Sequence, residues 1–158
     1  MKKIFAAALI ILSVSSSFAQ SKYFKSTDNL LKSTRASMGK LHSMQYENYI
    51  LDLFDSAYSD ILTGDFLISS QKEEKSGMHK AGLEKLNEGL PKLYDIIVAL
   101  ESSKYSSEYE YYHDFSNIPE DEDAKKLNNR VIQISKEISN IKVVIKKVNK
   151  YMSVKSNN

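Results

Sequence analysis

Residues 120–152 read EDEDAKKLNNRVIQISKEISNIKVVIKKVNKYM, and this stretch decides the fold. Leu127, Val131, Ile134, Ile138, Ile141, Ile145, Val148 and Met152 recur at alternating intervals of four and three. That interval keeps apolar residues on one face of an α-helix, and nearly four heptads of it describe a long coiled-coil-like helix. Ile and Val also favour strands. No turn residue interrupts residues 120–150, however, and a strand of that length is out of scale. Asn117 and Glu120 have capping-box spacing, and Pro119 falls in the tolerated first turn. A helix is therefore predicted over residues 119–152.

Upstream, Leu83, Leu86, Leu90, Leu93, Ile97 and Leu100 form a second stripe that crosses Gly89 and Pro91 without losing phase. An interior proline removes a helical hydrogen bond and costs about 3 kcal/mol. The preserved phase predicts one kinked helix over residues 78–104 rather than two stacked ones. A broader stripe of Leu31, Met38, Leu41, Tyr49, Leu53, Phe54, Ala57, Tyr58 and Ile61 predicts a first helix over residues 27–63. Ser26 or Thr27 would cap its start and Gly64 its end, and Asp65 could cap a further short helix holding Phe66, Leu67 and Ile68.

Three long helices with one apolar face each must bury those faces against one another. The fold class expected is all-α: an antiparallel three-helix bundle with coiled-coil-like heptad packing, a short fourth helix after Asp65 being the alternative count. Ile at both core positions of the last helix favours three or more packed helices, met within one chain or by a homo-oligomer.

The start of the chain has a different character. Lys2 and Lys3 precede the apolar run IFAAALIIL at residues 4–12, and Ser17 and Ala19 stand three and one before Gln20. This is the pattern of a secretory signal peptide cut after residue 19, leaving one domain over residues 20–158 in the periplasm or outside the cell. The apolar run is too short for a membrane span, and no later segment is apolar enough for one. The chain has no cysteine, so an exported domain would fold without disulfides.

Loss of residues 1–19 would leave 20 basic and 20 acidic residues, a neutral chain with segregated charge. Residues 105–123 hold seven acids and no Lys or Arg, whereas residues 124–158 hold nine bases and one acid, Glu137. Lys125, Lys126, Lys136, Lys146, Lys147 and Lys150 fall opposite the apolar stripe of the last helix. Such a face suits an anionic partner. It also complements the helix dipole, with acids at the start and bases towards the end. Few arginines and no base-reading motif disfavour nucleic acid.

The connection at residues 105–118 is rich in tyrosine. Tyr105, Tyr109, Tyr111 and Tyr112 either plug the end of the bundle or offer a recognition surface, since each combines large area with a polar tip. Glu110 and His113 have the Glu-x-x-His spacing of bundle metal sites, with Glu108 and Asp114 close by, but a di-iron site needs two such motifs. His42, Met44, Met78, His79 and His113 are the residues that could ligate a haem, without an attachment motif.

No Gly-rich phosphate loop, His-Glu-x-x-His or Gly-x-Ser-x-Gly is present, and a cysteine nucleophile does not exist. The expectation is a non-enzymatic exported bundle without a cofactor. It would bind another macromolecule, foremost a protein and otherwise an anionic surface. The contact residues expected are Tyr105, Tyr109, Tyr112, Lys136, Lys146, Lys147 and Lys150. A small periplasmic metal- or haem-binding bundle is the second expectation, and a hydrolase the residual one.

Overall fold

The computed structural model describes residues 22–42, 47–70, 77–104 and 120–156. These form four helices: α1 (Lys22–Leu41), α2 (Asn48–Ser69), α3 (Gly77–Ser103) and α4 (Glu120–Ser156). No strand occurs among them.

Cross-helix partners run in opposite order along each neighbouring pair. Ser26 meets Lys147 and Ser37 meets Gln133, so α1 and α4 are antiparallel. Arg35 meets Asp55 and Asp28 meets Tyr58 between α1 and α2. His79 reaches Lys155 and Ser103 reaches Arg130 between α3 and α4. With α2 antiparallel to α3, the chain runs up, down, up and down around one core.

That core consists of Leu31 and Met38 from α1, Ile50, Phe54 and Ile61 from α2, Leu86, Leu93, Ile96 and Leu100 from α3, and Ile134, Ile141 and Val148 from α4, all fully buried. Each such Leu, Ile or Phe contributes about 1.5–3 kcal/mol by leaving water.

The all-α expectation holds, but the predicted first helix, residues 27–63, is two helices. α1 ends at Leu41 and α2 begins at Asn48, with neither Gly nor Pro in the sequence between them, and the helices run on through Gly39 and Gly64. Gly64 is therefore not a C-cap, Asp65 is not an N-cap, and Phe66, Leu67 and Ile68 belong to α2.

Interhelical distance explains the glycines. A Cβ on Gly64 would lie 2.7 Å from Leu86 and 2.8 Å from the Gly82 carbonyl. A Cβ on Gly82 would lie 2.8 Å from the Gly64 carbonyl, and one on Gly89 3.0 Å from Ile61. Ala57 and Gly64 on α2 thus face Gly89 and Gly82 on α3, each pair seven residues apart. Interior glycine costs a helix about 1 kcal/mol against alanine. Here it lets two backbones approach closely, and Leu86 and Ile68 pack over the gap.

Pro91 sits inside α3 on its exposed side, so the predicted single helix is observed. The carbonyl deprived of its donor is that of Asn87, also exposed, where water can replace the lost bond.

The buried stripes coincide with the apolar ones at Leu86, Leu93, Leu100, Ile134, Ile141 and Val148 and lie one position away from them elsewhere. On α3 the buried line is His79, Gly82, Leu86, Gly89, Leu93, Ile96, Leu100 and Ser103, flanked by Leu90. On α4 it is Arg130, Ile134, Glu137, Ile141, Val144, Val148 and Tyr151, flanked by Ile138 and Ile145. Val131 and Met152, assigned to the stripe by hydrophobicity, are only half-buried. In each helix the centre of the core face is shared by residues that are not apolar. No described helix is long and apolar enough to cross a membrane.

Candidate functional site

Two features of α4 stand out, one turned inward and one outward. The inward feature is a charged cluster in the core. His42 directly follows α1, and its amide donates to the Met38 carbonyl at 2.7 Å. Glu47 immediately precedes α2 and occupies the N-cap position, but its side chain makes no cap bond. It reaches inward instead, and its Oε2 accepts from His42 Nδ1 at 3.0 Å. The second ring nitrogen, Nε2, lies 3.0 Å from Glu137 Oε2 on α4.

Both carboxylates are held on their other oxygen as well. Ser37 donates to Glu137 Oε1 at 2.9 Å and itself accepts from Gln133 at 3.1 Å. Arg130 Nη2 donates to Glu47 Oε1 and, at 3.2 Å, to the Ser103 carbonyl ending α3. His42, Glu47, Arg130 and Glu137 are all at most 2% exposed. The group therefore ties the ends of α1 and α3 and the start of α2 to α4.

A neutral imidazole can donate from only one nitrogen. A ring whose two nitrogens both face carboxylates is matched when it carries both protons. The cluster then holds two positive and two negative groups and is neutral overall. Burial by itself would push His42 down, but the hydrogen bonds to Glu137 and Glu47 and the charges of both outweigh it, so the group is held above its ordinary 6.5. Burial would likewise raise Glu47. The bonds from His42 and Arg130 prevail, and the carboxyl is held below its ordinary 4.5.

The outward feature is the far side of α4. Glu137, the one acid beyond residue 123, is turned into the core. The exposed surface of residues 124–156 therefore contains no acid. It presents Lys125, Lys126, Lys136, Lys142, Lys146 and Lys150. Among them stand Ile132, Val143 and Val154, which are 58%, 43% and 50% exposed. These three are eleven residues apart, three full turns, so they lie in one line with Lys125, Lys136 and Lys150.

The sequence candidates are distributed unevenly over this geometry. Lys136, Lys146 and Lys150 share the outer face, whereas Lys147 is half-buried and donates to Ser26 at 2.9 Å. Tyr105, Tyr109, Tyr112, Glu110 and His113 lie outside the described residues, as does Met44. The remaining haem candidates are not brought together. His42 has both nitrogens engaged. His79 stands at the opposite end of the bundle, its Nε2 donating to the Lys155 carbonyl at 3.2 Å, and Met78 is exposed. Among the described residues no group of three His, Cys, Asp or Glu could hold a metal ion.

Sequence reasoning missed the His42 cluster. The available signals were Glu137, an acid isolated in a basic helix, and Arg130, one of only two arginines in the chain. Comparison with protein-family models, with curated proteins and with solved structures finds no match to this chain.

Proposed function

We propose that the chain is an exported, non-catalytic helical bundle that docks through the outer face of α4 onto an anionic bilayer surface. One observation carries the reading: the only acid of α4 beyond residue 123 is consumed in the core, so the exposed Lys136, Lys142, Lys146 and Lys150 have no surface acid on their own stretch of α4. The face runs along one helix from Lys125 to Val154, about 44 Å, a length suited to an extended partner rather than an enclosed ligand. Protein interfaces are depleted in lysine, whereas lysine clusters beside acidic headgroups gain about 1 kcal/mol each. Ile132, Val143 and Val154 add branched apolar tips along the same line. Export rests on the n-region, apolar run and small residues of the first nineteen positions.

The test is sedimentation with vesicles of neutral lipid alone and of neutral lipid mixed with acidic lipid. Binding only to the acidic vesicles, weakened by salt, supports the proposal. Equal binding to both compositions, or binding to heparin but not to vesicles, overturns it. A catalytic use of His42 finds no support in the geometry, since the ring is fully buried and both nitrogens are bonded.

A further inference from the structure

We propose that His42 is a proton-operated clasp: while the ring carries two protons it holds the end of α1 and the start of α2 onto α4, and loss of one proton at alkaline pH releases that hold. The geometry makes the two states unequal. With both protons the ring donates to Glu47 and to Glu137, each at 3.0 Å. When one proton passes to a solvent base, a nitrogen lone pair faces a carboxylate oxygen at that distance. Neither carboxylate is free to turn away, because Ser37 holds the far oxygen of Glu137 and Arg130 that of Glu47. Relief requires separation of the ring from one glutamate, and the ring sits just beyond the end of α1.

The groups facing His42 come from every element around it. The α2 side gives Glu47, α4 gives Glu137 and Arg130, α1 gives Ser37, and α3 closes the cluster with the Ser103 carbonyl. Of these, histidine is the one type whose ordinary titration lies near neutrality. The α2–α3 contact at Gly64 and Gly82 is made with Leu86, Ile68 and backbone carbonyls and shares no residue with the cluster, so release stays local to the other end of the bundle.

The experiment is performed on the mature chain. An NMR titration follows the assigned His42 ring, while amide exchange is measured at Leu41 and His42 and, for comparison, at Leu86 and Leu93. The His42 midpoint should lie above 6.5. After correction for intrinsic exchange, the opening constant at Leu41 and His42 should rise up to tenfold per pH unit from 6.5 to that midpoint and then level off. The logarithm of the whole rise should equal the displacement of the midpoint. Leu86 and Leu93 should keep their protection. Glu137→Gln, which retains an acceptor without the charge, should lower the midpoint and shrink the rise. A midpoint at or below 6.5, a pH-independent opening constant, or equal loss of protection at Leu86 and Leu93 would overturn the proposal.

Discussion

His42 and Glu137 stand 95 positions apart in the chain and 3.0 Å apart in space, each within the core. Taking one partner from a buried ionic pair strands the other, which costs about 3–5 kcal/mol. Glu137→Ala should therefore destabilise the bundle by about that amount in urea denaturation. Glu137→Gln should cost clearly less, because an amide oxygen can still accept from the ring. Equal losses for the two variants would show that the acceptor retained by glutamine contributes nothing at this position.

Stability should depend on pH from both sides. Glu47 is held below its ordinary value, so its contribution is full above 4.5 and is lost as pH falls through its folded value. His42 is held above its ordinary value, so its contribution is full below 6.5 and is lost as pH rises through its folded value. Thermal unfolding across pH should give the highest Tm between these two values, with His42→Gln flattening the alkaline side. A Tm that climbs from pH 6 to pH 9 would contradict the assignment.

The glycines should separate into two kinds. Gly82→Ala forces a Cβ to 2.8 Å from the Gly64 carbonyl, which is backbone and cannot step aside. Overpacking of this sort costs about 1–3 kcal/mol, more than the helix-propensity gain returns. Gly39→Ala meets only the Nη1 tip of the Arg35 side chain at 3.1 Å, a side-chain atom that can give by a few tenths of an ångström where backbone cannot. It should raise stability by up to about 1 kcal/mol. Denaturation midpoints that move the same way in both variants would refute the close α2–α3 approach.

Tyr58 on α2 donates to Asp28 on α1 at 2.6 Å, and Asp28 is buried. Burial and this bond to a carboxylate both push the phenol well above its ordinary value of 10. In an ultraviolet alkaline titration one phenol should ionise later than the others, and Tyr58→Phe should remove that late component. The substitution should cost about 1.5 kcal/mol, the low end for a hydrogen bond to a charged group.

The helical class was legible because Leu86, Leu93, Ile134, Ile141 and Val148 keep the heptad interval whatever else surrounds them. The centre of each core face was not, because hydrophobicity gives no weight to Gly82, Gly89, Arg130 or Glu137. Those residues are buried for reasons their neighbours in space supply: a facing backbone in one case, an opposite charge in the other. The break between α1 and α2 was hidden for the same reason. Nothing in the sequence between His42 and Glu47 disfavours a helix, and α1 ends and α2 begins beside the point where these two side chains meet each other and α4. The basic face of α4 was legible as composition. That the one acid beyond residue 123 is turned inward depends on His42, which directly follows α1.

The central claim is that a local surface, not net charge, makes this bundle bind acidic lipid. The direct test compares two triple variants that change net charge equally. Lys136→Glu, Lys146→Glu and Lys150→Glu reverse the outer face of α4, whereas Lys25→Glu, Lys40→Glu and Lys80→Glu reverse exposed lysines on α1 and α3. In sedimentation with acidic vesicles, the α4 triple should lose at least tenfold in affinity while the control triple stays within about twofold of the unaltered chain. Equal losses in the two triples, or full binding by the α4 triple, would contradict the account.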